Sequence, residues 1–240
     1  YIMIKKLTNQ CFLLLTILVF SGCDLIISKN NFNSFLIPAR ETNKGDFGFV
    51  NLDGEVVIDF DVDLSGPYST PTIMNDGVSI YYDFERDNKA SFIYNNNNEI
   101  EIKETDYINA LFFSEGLALV VEEMQGLVYI DKEFNEVLKL DTDIQTAGYF
   151  IDGLAKFQYN TGKWGFIDKT GKRVIKAKYD EVRSFSEGYA VVSLYDDDLG
   201  LKKGVIDKTG NVVIKLKDKY SSLGGFQNGL SSYVEDDEIG

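Results

Sequence analysis

The chain has 240 residues, with 24 lysines and arginines against 38 aspartates and glutamates, and its net charge is −14. An acidic surface of this kind disfavours nucleic-acid binding, because it repels the phosphate backbone. The chain contains no histidine, which excludes Ser-His-Asp and Cys-His catalysis and every His-ligated metal site.

The first predicted element is an export signal. Lys5 and Lys6 precede an apolar run at residues 11–20, and the small residues Ser and Gly then lead to Cys23. A basic head, a short apolar core and small residues at its end are typical of a secretory signal, and the run is too short to span a membrane. The sequence therefore predicts a signal peptide over residues 1–22.

The next element is a tether, followed by the body of the chain. Residues 23–33 end in the polar run SKNNFN, which predicts a flexible segment. A β-repeat domain is predicted over residues 34–240, with a further repeat beginning at its end. Its first segment, SFLIPAR, has the character of a single strand. Such a strand would complete the last sheet of a closed propeller or cap an open array, and both alternatives fit.

The body of the chain repeats one pattern. The segment KWGFIDKTGKRVI at residues 163–175 returns as KGVIDKTGNVVI at residues 203–214. Five copies align when Gly165 is taken as the marker, and the marker falls at positions 48, 91, 128, 165 and 204. Intervals of 37 to 43 residues between these positions are typical of propellers, solenoids or arrays.

A second pattern follows each copy after about twenty residues. It reads FSEGYAVVSL from Phe185, and its counterparts begin at Met74, Phe113, Phe150 and Phe226. Each copy thus predicts a hairpin closed by a DKTG-type turn, then a second turn in which a glycine such as Gly188 supplies positive φ, then a third strand. Three strands bury too little surface alone, so neighbouring units must stack. No segment has helical periodicity, which predicts an all-β fold.

Two resemblances accompany these patterns. The pair Trp164–Gly165 and the motif around it resemble the WG repeat of bacterial proteins, from about Gly45 to the end and most weakly in the second copy. The segment FSGC at residues 20–23 resembles the lipobox of bacterial lipoproteins. The first resemblance implies a β-rich repeat array without an established activity. The second implies a lipid on Cys23 and anchoring to either membrane of the envelope; an ordinary signal peptide before an incidental cysteine is the alternative.

Aromatic residues outside the recurring core positions are the candidate binding residues: Tyr81, Tyr82, Tyr149 and Trp164. Tyr81 and Tyr82 are neighbours, as are Tyr149 and Phe150. Because successive side chains of a strand point to opposite faces, one ring of each pair is expected to face water. Trp164 is the only tryptophan, although its place in the repeat favours packing.

Acidic residues are predicted to form turns rather than metal sites. One equivalent position at the start of a turn is occupied by Asn51, Asp131, Asp168 and Asp207. Side chains of this kind bond their own backbone at turns. The acidic runs at residues 59–63, 196–198 and 235–238 do not have EF-hand spacing, and no catalytic motif is present. We therefore expect no enzyme activity, no metal and no cofactor.

These features together predict a cell-envelope lipoprotein whose β-repeat scaffold binds a protein or a glycan, with a membrane contact through the lipid on Cys23. A structural spacer or assembly component without a ligand is the first alternative. A hydrolase with paired carboxylates is the second, and it would need two close acids in a cleft.

Overall fold

The computed structural model describes residues 36–40, 45–62, 71–83, 86–96, 99–124, 126–198, 200–218 and 220–235. Within these ranges the chain forms twenty strands and no α-helix, which confirms the all-β prediction. It also contains no helix of the length and apolarity that a membrane span requires within the described part. The predicted signal peptide, Cys23 and the tether lie outside the described residues. The chain divides into two compact units, and the boundary between them falls after Asp106.

The first unit contains two three-stranded antiparallel sheets. Sheet I consists of β1 (Ile37–Arg40), β2 (Phe47–Val50) and β3 (Val56–Val62). Sheet II consists of β4 (Val78–Asp83), β5 (Lys89–Asn96) and β6 (Glu99–Glu104). The predicted single strand at the start of the domain is β1, which pairs with β2. Backbone bonds between Leu36 and Met74, of 3.1 and 2.8 Å, connect the two sheets.

The second unit contains four antiparallel sheets, each a meander in chain order. Sheet III consists of β7 (Asn109–Ala110), β8 (Ala118–Glu122), β9 (Gly126–Ile130) and β10 (Glu136–Lys139). Sheet IV consists of β11 (Ile144–Ala147), β12 (Leu154–Tyr159), β13 (Trp164–Asp168) and β14 (Arg173–Tyr179). Sheet V consists of β15 (Glu181–Val182), β16 (Tyr189–Asp196), β17 (Gly200–Asp207) and β18 (Val212–Lys217). Sheet VI consists of β19 (Tyr220–Leu223) and β20 (Tyr233–Glu235).

The strands of one sheet do not all come from one sequence copy. The third strand of the fourth copy, β16, pairs with β17 of the fifth copy rather than with its own hairpin. The reason for this pairing is local, because β16 ends at Asp196 and β17 begins at Gly200, and antiparallel strands joined by so short a turn pair with each other. Sheets III, IV and V therefore have four strands drawn from two copies, where the sequence suggested three-stranded units.

The recurring aromatic position forms the core between successive sheets, as predicted. Phe113, Phe150 and Phe185 are fully buried. Phe185 packs edge-on against Phe166, with ring centroids 4.7 Å apart, and both belong to the cluster that joins sheets IV and V. Phe226, at the same position in sheet VI, is half-buried.

The marker glycine is required where the facing strand bulges. Between β13 and β14, Trp164 pairs with Tyr179 but Phe166 pairs with Ile175, so extra residues of β14 face Gly165. A Cβ at Gly165 would lie 2.5 Å from the Ile175 carbonyl oxygen. The third copy carries Val128 at this position, and the facing strand β10 pairs with Val128 and Tyr129 by consecutive residues, without a bulge opposite Val128. The bulge therefore explains why some copies keep the glycine and others do not.

The second repeated turn has positive φ at both central residues. In sheet V these residues are Glu187, with φ of 53°, and Gly188, with φ of 86°. Turns of this type match the twist of a hairpin, but an L-residue other than glycine pays about 1–2 kcal/mol for this conformation. The same conformation recurs at the equivalent acids and amide, Asp76, Glu115, Asp152 and Asn228. The sequence analysis assigned positive φ to the glycine alone.

In three of these turns the carboxylate accepts a hydrogen bond from the corresponding turn of the next sheet. The Gly188 N–H donates to Asp152 Oδ2 at 2.7 Å, which connects sheet IV to sheet V. The Asn228 N–H donates to Glu187 Oε1 at 2.6 Å, which connects sheet V to sheet VI, and Glu115 accepts the equivalent bond from sheet IV. These charge-assisted bonds offset the strain of the turns and hold successive sheets in register.

We expect Asp152→Ala to lower the free energy of unfolding by about 1–2 kcal/mol, because it removes the acceptor for the Gly188 N–H and keeps the left-handed backbone. Asp152→Asn should lose less than half as much, since asparagine tolerates this conformation and retains an acceptor. Urea unfolding measures both changes. The Gly188 amide should also exchange its hydrogen faster in the alanine variant. Equal stability of the two variants would contradict the role of the Asp152 carboxylate in joining sheets IV and V.

Candidate binding cleft

The four predicted aromatic binding residues are divided between the two units. Tyr81 and Tyr82 lie in the first unit, and Tyr149 and Trp164 lie in the second. Tyr81 is only 4% exposed, packs in the core of the first unit, and has a pKa raised chiefly by burial. This burial makes Tyr81 a core residue. Tyr82, Tyr149 and Trp164 are half-buried, and their role in binding stays a prediction.

Trp164 is half-buried near the start of β13. It pairs with Gln158 on β12 and lies on the same strand face as Phe166, which belongs to the core between sheets IV and V. The Lys156 Nζ lies 5.4 Å from the centre of the indole ring.

A cleft opens one repeat later, between sheets V and VI. Its volume is about 410 Å³, and polar side chains dominate its lining: Glu181, Arg183, Ser193, Lys203 and Ser222. The apolar part of the lining includes Val191 and Leu223, which also belong to the small core that joins the two sheets. The cleft therefore has an aliphatic floor and polar walls.

Strand pairing fixes the arrangement of the polar residues. Ser193 pairs with Glu181 on one side and with Lys203 on the other, so the three form one row across β15, β16 and β17. Neighbouring strands are about 4.8 Å apart, which places the acid and the lysine at opposite ends of the row. Arg183 follows Glu181 by two residues and faces the same side of the sheet.

The cleft lies beside the position at which sheet V departs from sheets III and IV. This position carries Leu127 in sheet III, Trp164 in sheet IV and Lys203 in sheet V. Its partner on the neighbouring strand is Val121, Gln158 and Ser193 in the same order. A lysine therefore stands beside the cleft where the other two sheets carry a large apolar side chain.

The charges of the cleft differ from those of the chain as a whole. Arg183 and Lys203 supply two cations and Glu181 supplies one anion, whereas the whole chain carries −14. Arg183 and Lys203 each also make an interaction within the protein. Ser193 is buried and half-way between the charges. This arrangement can hold an anionic group beside an apolar one, and the lining residues offer one carboxylate where two-carboxylate hydrolysis needs two.

Sequence analysis did not select these residues. The available signal was Lys203, which occupies the position of Trp164 in the fifth copy. Glu181, Arg183 and Ser222 lie in the variable parts of the repeat, and only the pairing of β15 with β16 brings the first two beside the lysine.

The turn acids have the structural role that the sequence predicts. Asp168 Oδ1 accepts hydrogen bonds from the Thr170 and Lys172 N–H groups at 2.9 and 3.1 Å. Asp207 repeats this pattern in the fifth copy, and Asn51 does so in the first. Across the described ranges, no three acidic or thiol side chains gather as a metal site would require. Of the acidic run at residues 59–63, Asp63 lies outside these ranges.

The pKa of Asp207 is lowered to about 2, chiefly by the hydrogen bond from the Thr209 hydroxyl and further by the turn N–H groups and Asn211. Because the folded pKa lies below the ordinary value of about 3.9, the ionised carboxylate stabilises the fold above that value. This contribution is lost as the pH falls toward the folded pKa.

We expect the stability of the wild type to fall relative to Asp207→Asn as the pH falls from about 4 to about 2. The asparagine keeps the turn, as Asn51 does in the first copy, but does not titrate. Urea midpoints of both proteins at a series of pH values measure the difference. Parallel curves over this range would contradict the assignment.

Comparison with known proteins identifies two segments of the chain. Residues 164–196 and 204–238 match a family described as WG containing repeat. These two segments are the fourth and fifth copies and enclose most of the cleft. A search of curated proteins found no match to the chain.

Several solved structures match this chain at low sequence identity and low TM-score. The computationally designed Ika8 protein is 14% identical with a TM-score of 0.47, over 87% of this chain and 66% of that one. The WD40 domain of Toxoplasma gondii coronin is 11% identical with a TM-score of 0.40, over 82% and 60% of the two chains. The WD40 beta propeller domain of Doa1 is 13% identical with a TM-score of 0.35, over 85% and 72%. The chain thus spans less than two thirds of the first two proteins.

Proposed function

Residues 164–196 and 204–238 are WG repeats, and from this premise we propose that the protein is a binding scaffold of the bacterial cell envelope. In this proposal the chain is exported and anchored through a lipid on Cys23. Its repeat domain recognises a protein or a glycan and catalyses no reaction. The stacked sheets act as a rigid support, and the positions at which the repeat pattern changes provide the specificity.

The observation that carries the binding role is the cleft between sheets V and VI. One position of the repeat carries Leu127 in sheet III, Trp164 in sheet IV and Lys203 in sheet V. Lys203 lines the cleft, and a lysine contributes less to packing than a large apolar side chain. In this proposal the exchange serves contact with a ligand rather than stability.

Anchoring rests on the sequence of the first 23 residues. In cells that express the full chain, we expect Cys23→Ala to abolish lipid attachment and to move the repeat domain out of the membrane fraction. The physical reason is that a single site of lipidation supplies the apolar anchor. Fractionation and mass spectrometry of the mature N-terminus measure the change.

Cys11→Ala is the matched control for the anchoring test, because Cys11 lies within the apolar run of the signal and is removed with it. That variant should stay in the membrane fraction with the same lipid mass. Membrane retention of Cys23→Ala, or an unmodified Cys23 in the wild type, would contradict the anchor.

The binding role is tested separately, by chemical crosslinking in living cells followed by recovery of the intact tagged chain from the envelope. A dominant adduct that Lys203→Trp removes is the expected result. Capture of abundant neighbours only, equally by both proteins, would favour a structural spacer.

A further inference from the structure

We propose that the cleft between sheets V and VI binds a peptide segment through one carboxylate, held between Arg183 and Lys203, with an aliphatic side chain on the floor formed by Val191 and Leu223. This inference rests on the proposed binding function and specifies its ligand.

Charge complementarity identifies the carboxylate. Arg183 lines the cleft from the residue after β15, and Lys203 lines it from β17. An arginine and a lysine that line one space can form charge-assisted hydrogen bonds with a carboxylate bound there.

The other lining residues suit a peptide. Ser193 and Ser222 offer hydroxyl groups that can donate to or accept from backbone amides. Val191 and Leu223 offer an aliphatic surface. Glu181, at the far end of the row from Lys203, can accept a hydrogen bond from a backbone N–H or an ammonium group.

Two other ligand classes fit less well. The described residues that line the cleft include no aromatic ring, whereas a sugar ring would gain most from stacking on one. A polyanion would be repelled by a chain of net charge −14. The volume of about 410 Å³ lies at the lower end of the range for ligand pockets, which suits a short segment with a single anionic group.

The test uses the purified full chain and an immobilised library of acetylated pentapeptides in four forms. The C-terminus is either free or amidated, and one position carries either glutamate or glutamine. These forms distinguish a terminal carboxylate from a side-chain carboxylate. We expect enrichment of peptides that carry an aliphatic residue near one carboxylate, and loss of that carboxylate should weaken binding at least about tenfold.

Lys203→Trp is the decisive variant. It restores the residue of the fourth copy, which the repeat accommodates, and it removes a cation while filling the cleft. We expect binding of the selected peptide to weaken at least about tenfold in Lys203→Trp and in Arg183→Gln. Lys208→Trp is the matched control, because Lys208 is exposed in a turn and does not line the cleft; binding should be unchanged there.

Three outcomes would overturn the inference: no enrichment of any peptide, equal binding of peptides with and without a carboxylate, or unchanged binding by Lys203→Trp. If cells nevertheless yield an adduct that depends on Lys203, the proposed function stands and only the peptide ligand is excluded. If neither assay depends on Lys203, the binding role of the cleft also fails.

Discussion

Phe185→Ala is expected to lower the free energy of unfolding by about 3–5 kcal/mol. Phe185 is 0% exposed and packs against Phe166 across the boundary between sheets IV and V. Its removal leaves a cavity between two sheets, and because the hydrogen bonds within each sheet keep it rigid, the space can collapse only in part. Each sheet depends on its neighbour for burial, and the loss therefore affects both.

Urea unfolding followed by the fluorescence of Trp164, the only tryptophan, measures this effect, because Trp164 lies two residues from Phe166 in sheet IV. Tyr195→Ala is the matched control: its side chain is 65% exposed, and surface substitutions usually change stability by less than about 0.5 kcal/mol. A loss below about 1 kcal/mol in Phe185→Ala would mean that the two sheets do not share a core.

The second large effect is expected for Gly165→Ala, with a loss of about 1–3 kcal/mol or more. The new Cβ would lie 2.5 Å from the Ile175 oxygen and 2.7 Å from the Ala177 nitrogen. Both are backbone atoms of the bulged strand β14, so relief requires a shift of the strand rather than a rotamer change. The bulge itself should be lost or displaced.

Gly225→Ala is the control for this substitution. Nothing lies within 4 Å of a Cβ built at Gly225, and its φ is outside the left-handed region. Replacement there should leave stability unchanged or raise it by about 0.4–1 kcal/mol, through the unfolded state. Equal stability of the two alanine variants would contradict the close approach at Gly165.

The repeat architecture could be predicted because it depends on local signals. Turn residues such as Asp168 and Gly171 recur with the apolar alternation, and their hydrogen bonds lie within five residues. Pairing between copies could not be predicted in this way. The pairing of β16 with β17 depends on which turns are short, and the glycine at position 165 depends on a bulge in another strand.

The second copy shows that a sheet can form although its sequence matches the repeat only weakly. It has Ser91 at the marker position, and its resemblance to the repeat is weak. Its strands β5 and β6 nevertheless pair in step from Ser91 to Asn96 without a bulge. A hairpin without a bulge does not need a glycine at the marker position. The departure of the second copy from the repeat pattern therefore reflects a different strand register, and the sheet itself is still formed.

The candidate site was less accessible to sequence reasoning than the fold. Alternation predicts that Tyr81 and Tyr82 face opposite sides of β4, but only the packing of sheets I and II identifies Tyr81 as the buried one. For the cleft, Lys203 was visible as a departure from Trp164. The other lining residues come from elsewhere in the chain: Arg183 follows β15 of the same sheet, and Ser222 lies on β19 of sheet VI. The sequence of one strand alone does not show whether a gap lies between its sheet and the next.

The central claim is that the protein binds a partner at the cleft beside Lys203, where the repeat pattern changes. Site-specific photo-crosslinking in living cells tests this claim most directly. A photoreactive residue would replace exposed Glu181 or Ser222 at the cleft, or Lys208 in the turn outside it. The account predicts one shared adduct from the two cleft positions, lost when Lys203→Trp is added, and no such adduct from position 208. Equal adducts at all three positions, or none at the cleft, would contradict it.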